Sequence, residues 1–366
     1  MGAAVRFGRT LRPGWVACLC LLPVAALGDE AREWLERMNR ALAERSYEGT
    51  FFHERGGHSA SLRLHRRVKD GEVDERLVSL DGAQREFIRR GDEIIYVLPD
   101  RKAMLIERRA PGGGLLPSLP RFDEHSAQFY RLEPVTRTRV MGRDARLVSL
   151  VPRDPYRYGY RVWIDARSAL PLKTETVDQQ GTVLERIAFA TLQLAEIPDE
   201  IFEPGAEAAN FRRIEGHSGV RLTTVTDSAA VWSLRTAAHG FRVTQRAAQR
   251  LPGLEHPVSH LVLSDGLASV SVFIGTRPPS PATKEIPEER RVGAATAYST
   301  FIRGHHVVVV GEIPLETARL IANELRTDTP RTPGRPAVPG RPAEPGKPRE
   351  AYGFVPPRSA LAPEQQ

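Results

Sequence analysis

Near the start of the chain the apolar residues recur at intervals of three and four, the period of an α-helix. Over residues 29–45 one side of such a helix carries Trp34, Leu35, Met38 and Leu42, while charged residues occupy the other side. This pattern predicts an amphipathic helix over Asp29–Arg45 whose apolar side packs on another element.

From residue 47 onward the pattern changes to short runs in which apolar and polar residues alternate, as in half-buried strands. The runs are separated by pairs such as Asp70-Gly71 and Gly91-Asp92, which favour turns because glycine accepts positive φ. The predicted strands are 47–54, 60–68, 72–80, 84–90, 93–98, 102–107, 130–135, 136–141, 146–152, 158–165, 171–178 and 182–195. Short connections between them predict antiparallel neighbours in one large curved sheet.

An apolar insert rich in proline and glycine, residues 110–128, interrupts the strands and is typical of a covering flap. A connector over 201–219 leads to a second unit with predicted strands 232–234, 241–245, 258–264, 268–274, 296–302 and 305–310, a hairpin turn at Asp265-Gly266 and a closing helix over 314–325. The predicted fold class is therefore α+β: a large curved antiparallel half-barrel with covering helices over 29–200, and a smaller sheet-and-helix domain over 220–326.

The two ends of the chain differ from these units. Residues 1–28 have three arginines, a short apolar run and small residues at 26–28, which together predict a cleaved export signal; a helix that stays as an anchor is the alternative. Residues 327–366 repeat Pro-Gly-Arg/Lys-Pro and are predicted to be disordered. Both cysteines, Cys18 and Cys20, lie in the predicted signal, so the exported chain has neither disulfides nor a cysteine nucleophile.

Charge and motifs argue against several functions. The formal net charge is +7, but most of this excess lies in the predicted signal and tail, which gives no reason to expect nucleic acid as a partner. His53-Glu54-Arg55-Gly56-Gly57 lacks the second histidine of a zinc-protease helix, and adjacent residues His305-His306 point to opposite faces of a strand. No catalytic residue, metal site or cofactor is predicted.

The remaining candidate for a functional site is apolar surface. A curved sheet covered by the first helix and the flap would enclose an apolar ligand site. The candidate lipid-facing residues are Trp34, Met38, Phe52, Phe87, Tyr96, Leu115, Leu116, Leu119, Phe122 and Trp163. The alternative for each of them is a place in a dry core.

Several ordered segments resemble the RseB/MucB family of periplasmic regulators of an envelope-stress sigma factor. They include Leu80–Ile94, Pro117-Ser118-Leu119-Pro120, Tyr158–Asp165, Leu263–Leu267 and Gly311–Pro314, and together they span residues 30 to 326. The resemblance implies a first domain like the lipoprotein carriers of the periplasm and a smaller sheet-and-helix second domain. The chain departs from the family near Trp232 to Phe241, where the family's prolines are missing.

The resemblance also implies a function and partners. Family members bind the periplasmic part of an RseA/MucA-like transmembrane anti-sigma factor and shield it from proteolysis, and lipid, lipopolysaccharide or a mislocalised lipoprotein releases it. The first hypothesis is thus a periplasmic regulatory binding protein that is not an enzyme. A lipid or lipoprotein carrier without anti-sigma regulation is the alternative, and a homo-oligomer remains open.

Overall fold

The computed structural model describes residues 25–82, 84–108, 122–216, 232–235, 238–249, 258–276 and 286–327. The first helix, α1, spans Ala25–Glu44, so it begins four residues before the predicted start and ends one residue before the predicted end. Leu115, Leu116 and Leu119 of the flap, the predicted signal before residue 25 and the tail beyond residue 327 lie outside the described residues.

A thirteen-stranded sheet follows α1. Its strands are β1 (Tyr47–Arg55), β2 (His58–Lys69), β3 (Glu72–Ser79), β4 (Glu86–Arg90), β5 (Glu93–Leu98), β6 (Ala103–Arg108), β7 (Tyr130–Leu132), β8 (Thr136–Val140), β9 (Arg143–Pro152), β10 (Gly159–Asp165), β11 (Pro171–Val177), β12 (Val183–Leu194) and β13 (Arg212–Gly216). The spatial order is β13-β6-β5-β4-β3-β2-β1-β12-β11-β10-β9-β7, with β8 also paired to β9. Neighbours are antiparallel except β13, which runs parallel to β6.

The sheet curves around α1. One apolar cluster joins Leu35 and Met38 of the helix to Leu64 on β2 and, on the other arm of the sheet, to Val148 on β9 and Val162 on β10. A flat sheet cannot bring strands so far apart in its order to a single helix. This side of the sheet is the concave face, and α1 lies on it.

The last turn of α1 is tied to the sheet by Arg66. Its guanidinium donates a hydrogen bond of 3.0 Å to the carbonyl oxygen of Leu42 and also pairs with the buried Glu75. An arginine at this position satisfies one of the carbonyl groups that the end of a helix leaves without a partner inside the helix.

The outer face of the sheet has its own apolar cluster. Phe87 points to the concave face, and its neighbour Ile88 packs outward against Phe202 and Ala208. Residues 201–216 are therefore more than the connector that the sequence analysis expects: 3-10 turns at Asp199–Phe202 and Ala206–Asn210 cover this face, and β13 extends the edge. The apolar residues of this segment contact the sheet but are scattered without a periodic pattern, so the sequence alone does not mark them as a cover.

The second domain is a six-stranded antiparallel sheet packed on one helix. The elements are β14 (Trp232–Leu234), β15 (Arg242–Gln249), β16 (Val258–Ser264), β17 (Ser269–Thr276), β18 (Glu288–Val292), β19 (Ala295–Ile302), β20 (His305–Gly311), α2 (Leu315–Glu324) and β21 (Leu325–Thr327). The order is β15-β16-β17-β20-β19-β18, and β14 pairs separately with β21. The α+β fold class, the large curved sheet and the separate smaller sheet are thereby confirmed.

Candidate binding surfaces

Three of the predicted lipid-facing residues lie together on the concave face. Trp34, Met38 and Phe87 are buried in the cluster beneath α1. Tyr96, Phe122 and Trp163 are half-buried and pack against the same cluster. The structure thus brings Trp34, Met38, Phe87 and Tyr96 to the concave side of the sheet, whereas the strand register places Trp163 on the opposite face.

Two aromatic residues of this cluster, Trp34 and Trp163, are each in contact with a cation. The guanidinium carbons of Arg37 and Arg146 lie 4.1 and 5.5 Å from the centre of the Trp34 ring. The Nζ of Lys173 lies 4.2 Å from the centre of the Trp163 ring. Contacts of this kind stabilise a half-buried aromatic ring while its rim stays in water.

Phe52 is not brought together with the others. It lies on the outer face of β1 and is 44% exposed, whereas Phe51 points into the concave cluster, where its ring centre lies 5.3 Å from that of Phe189 with the two rings tilted by 52°. Alternation along a strand places one of two adjacent phenylalanines inward, and the sequence alone does not decide which.

The described part of the concave face is filled by the protein's own side chains. Leu35 and Met38 of α1 are almost completely buried among strand residues from both arms of the sheet. An acyl chain that enters at this place must displace α1 or push these side chains aside.

An open groove of about 450 Å³ lies elsewhere, at the ends of three neighbouring strands. Its lining is mixed in charge and includes Glu133, Arg153, Asp154, Arg161 and Asp178. One wall is the loop that follows β9, and this loop also carries the first contact between the two domains.

Arg157 makes that first contact. Its side chain is 0% exposed, which is exceptional for an arginine, and it donates hydrogen bonds in three directions. Nε donates to Asp154 at 2.9 Å, one terminal nitrogen donates to Asp265 of the second domain at 2.6 Å, and the other donates to the carbonyl oxygen of His239.

Asp265 receives this arginine at the β16–β17 turn that the sequence predicts. One carboxylate oxygen accepts from the turn amides of Leu267 and Ala268 at 2.9 and 2.8 Å. The other oxygen accepts from the Tyr130 hydroxyl at 3.0 Å as well as from Arg157. Burial, together with the nearby Tyr160 and Asp265, raises the pKa of Tyr130 well above its usual value, so the hydroxyl remains a donor.

Tight packing surrounds this group, which we call the arginine contact (Tyr130, Arg157, His239, Asp265). Gly240 has φ +91°, and a Cβ on it would lie 2.2 Å from a carbon of the Phe129 ring, so only glycine fits there. Beside it, the Thr317 hydroxyl at the start of α2 donates to the carbonyl oxygen of Tyr156 at 2.7 Å. The loop 153–158 is therefore fixed to the second domain at several points.

A second contact between the domains lies at the end of β1. His53 Nε2 is 2.6 Å from Glu185 Oε1, and both side chains are buried. Arg55 donates from Nε to the carbonyl oxygen of Val292 at 3.2 Å, across the domain boundary. We call this group the carboxylate contact (His53, Arg55, Glu185).

Neither contact between the domains is easily predicted from the sequence. Asp265 is visible only as a turn residue, and Arg157 is one of many arginines in the chain. A fully buried ion pair between residues 108 positions apart depends on the tertiary fold.

Fold and geometry define a two-domain protein whose large curved sheet is joined to a smaller sheet-and-helix domain through a buried ion pair, Arg157–Asp265, and hydrogen bonds. The model for the MucB/RseB N-terminal domain matches residues 30–212, and the model for the MucB/RseB C-terminal domain matches residues 226–326. The chain belongs to the MucB/RseB family, and the predicted resemblance is confirmed.

Individual relatives agree with this assignment. The chain is 31% identical over 327 residues to the sigma factor AlgU regulatory protein MucB of Pseudomonas aeruginosa, covering 85% of this chain and 95% of the relative. It is 29% identical over 313 residues to the sigma-E factor regulatory protein RseB of Escherichia coli K12, covering 80% and 89%.

Solved structures extend the similarity to the fold. A crystal structure of MucB in complex with MucA(peri) aligns with a TM-score of 0.63 and 31% identity, covering 82% of this chain and all of that one. A crystal structure of MucB aligns with a TM-score of 0.54 and 28% identity, covering 82% of this chain and 98% of that one. Neither described helix is long and apolar enough to cross a membrane.

Proposed function

We propose that this protein is a periplasmic regulatory binding protein that holds the periplasmic part of a transmembrane anti-sigma factor and shields it from proteolysis. The observation that carries the proposal is the match to MucB solved in complex with MucA(peri), which covers 82% of this chain. The name of the 31% identical relative, a sigma factor regulatory protein, supports the same function.

The junction between the domains supports a binding role physically. The arginine contact fixes loop 153–158 of the first domain to the β16–β17 turn of the second. A polypeptide that touches both domains then meets a surface already ordered, which lowers the entropy lost on binding. Protection by occupancy requires no catalytic side chain.

Release of the anti-sigma segment by a lipid requires competition between the two ligands. Because the concave face beneath α1 is filled, an acyl chain that binds there has to move the helix or its side chains. Burial of an acyl chain yields about 0.8 kcal/mol per methylene, so several methylenes offset a displacement of this kind. The lipid shifts the equilibrium only by the difference in its affinity for the two arrangements.

The test is a protease-protection assay. The purified protein is mixed with the periplasmic domain of the cognate anti-sigma factor, and the rate of cleavage by the protease that initiates its degradation is measured. Cleavage should slow in proportion to occupancy, and a short-chain phospholipid should restore it. An unrelated substrate of the same protease serves as the control and should be cleaved at an unchanged rate.

Two outcomes contradict the proposal. One is an unchanged cleavage rate at saturating protein. The other is transfer of acyl ligands between vesicles by a protein that shows no affinity for the anti-sigma domain, which would instead support the carrier hypothesis.

A further inference from the structure

We propose that Leu267 of the second domain is a plug: its side chain fills a place in the apolar cluster of the first domain, and a single hydrocarbon chain can take that place. The inference rests on the proposed function, because it names the side chain that a lipid ligand displaces. It concerns the turn between β16 and β17, which the arginine contact joins to the first domain.

The first observation concerns the apolar core to which Leu267 belongs. Leu267 is half-buried and packs against the cluster beneath α1, which otherwise consists of first-domain residues in the part of the chain that the structure describes. Its neighbour Ala268 belongs instead to the core of the second domain, as do Leu263 and Val270 on the two strands of the hairpin. The tip of the turn is therefore the point at which the second domain enters the core of the first.

Hydrogen bonds place this turn at the β7 and β10 side of the cluster. Tyr130 on β7 is completely buried in the cluster, and its hydroxyl donates to Asp265 in the same turn as Leu267. Tyr160 on β10 packs against the same cluster, and its ring centre lies 6.3 Å from that of Tyr130. Leu267 thus enters the cluster beside aromatic side chains.

The second observation is that the tip of the turn can move while the arginine contact stays in place. Asp265 Oδ1 accepts from the amides of Leu267 and Ala268, whereas Asp265 Oδ2 accepts the bonds of the arginine contact. The two sets of bonds use different oxygens, so a change at the tip leaves the bonds to Oδ2 intact. Gly266 lies at the tip with φ +100°, and glycine changes its backbone conformation more freely than other residues.

The tip of the turn also touches the segment that ends the flap. A Cβ on Gly266 would lie 3.2 Å from the Cβ of Ser126, so the turn and this segment are in close contact. Ser126 donates to Asp123 Oδ1 from its amide and its hydroxyl, at 2.8 and 2.9 Å, which fixes the shape of the segment. Phe122 packs against the cluster, and the guanidinium carbon of Arg32 on α1 lies 5.1 Å from the centre of its ring. This segment thus connects α1, the concave cluster and the tip of the turn.

The chemistry of this place favours a hydrocarbon chain as the ligand. The group that occupies it is an uncharged alkyl side chain, and the buried charges nearby, Arg157 and Asp265, already pair with each other at 2.6 Å. An alkyl chain forms the same apolar contacts as leucine, whereas a charged head group would be buried there without a partner. Full burial of a leucine side chain changes an equilibrium constant by roughly ten- to hundredfold, so competition with the half-buried Leu267 should weaken binding of the chain by about tenfold.

The experiment compares the affinity for dodecanoate before and after the plug is shortened. Dodecanoate is titrated calorimetrically, below its micelle concentration, into the protein purified without its predicted signal. Leu267→Ala should bind dodecanoate about tenfold more tightly than the wild type, because the chain no longer has to displace the leucine. Leu320→Ala is the matched control: Leu320 on α2 is a half-buried leucine that packs against the core of its own domain, so its replacement should leave the affinity unchanged.

A second measurement locates the bound chain without any substitution. Dodecanoate that carries a diazirine at the end of its chain is bound to the wild-type protein and irradiated, and the cross-linked residues are identified by mass spectrometry. Cross-links should form at Tyr130 or at the tip of the turn, and an excess of unlabelled dodecanoate should suppress them.

Four outcomes would overturn the proposal. They are equal affinities of the wild type and a folded Leu267→Ala protein, an equal gain of affinity in Leu320→Ala, cross-links confined to other parts of the protein, and an absence of dodecanoate binding. If Leu267→Ala does not fold, the position of the cross-links decides. None of these measurements contains the anti-sigma domain, so the plug can be refuted while protection from proteolysis is confirmed, and the reverse.

Discussion

Replacement of Arg157 by methionine tests whether the arginine contact joins the two domains. Methionine is similar in length and fills part of the same apolar surroundings, which include the Phe129 and Phe241 rings at 4.5 and 5.3 Å from the guanidinium carbon. The variant removes all three hydrogen bonds of the guanidinium and leaves Asp265 buried without its cation.

The expected loss of stability depends on the hydrogen bonds that Asp265 keeps after the substitution. Removing one partner of a buried ion pair costs about 3–5 kcal/mol. Asp265 retains the Tyr130 hydroxyl and the amides of Leu267 and Ala268, so its charge is only partly unsatisfied. We therefore expect Arg157→Met to cost about 3 kcal/mol, at the lower end of that range. Adding Asp265→Asn should recover part of the loss, because the buried charge is then gone.

The assay is denaturant unfolding followed by tryptophan fluorescence and circular dichroism. Of the four tryptophans in the sequence, Trp232 is the one in the second domain, so Trp34→Phe and Trp163→Phe in the protein without its signal leave a reporter of that domain. Wild-type domains should unfold together, and Arg157→Met should split the transition.

The matched control for this experiment is Arg139→Met. Arg139 is an exposed arginine on β8 whose replacement should change the free energy of unfolding by less than about 0.5 kcal/mol. A loss below about 1 kcal/mol for Arg157→Met, with one cooperative transition retained, would refute the reasoning.

Other changes test the remaining sites. Met38→Ala should lower the free energy of unfolding by about 2–5 kcal/mol because it opens a cavity beneath α1, whereas Phe52→Ala on the outer face should cost much less; both are measured by denaturant titration. Gly240→Ala should destabilise the domain junction, since its Cβ meets the Phe129 ring, and increased proteolysis between the domains would show it. Burial raises the pKa of Glu175, but the hydrogen-bonded Lys173 and Arg186 lower it more, so the net shift is downward. The stability that this group contributes is therefore present above its unfolded pKa and is lost as the pH falls. In a plot of the free energy of unfolding against pH, Glu175→Gln should flatten the acid side.

Much of the fold follows from the sequence because strand alternation and turn residues are local signals. The strand β5 at Glu93–Leu98 and the hairpin at Asp265-Gly266 are found where the pattern predicts them. The strands that the sequence analysis misses are β13, β18 and β21. All three lie at the edges of their sheets, and the residues of β18 are exposed along its whole length, so no alternation marks it.

The candidate site is less predictable because burial on a curved sheet depends on which face a strand presents. Phe51 and Phe52 differ in exposure although the sequence offers no reason to prefer one of them. Arg157 is the opposite case, since a charged residue is expected at the surface and here lies between two domains. Local pattern determines the elements, while the contacts between domains depend on long-range packing.

The two contacts between the domains differ in a way that bears on regulation. The arginine contact combines a cation that does not titrate with several hydrogen bonds, so it maintains one connection under all ordinary conditions. The carboxylate contact leaves one oxygen of the buried Glu185 without a hydrogen bond, so it is the weaker of the two. A binding protein that must hold a polypeptide and later release it needs both properties. A permanent connection keeps the binding surface assembled, and an adjustable one lets a second ligand change its shape at a cost of a few kcal/mol.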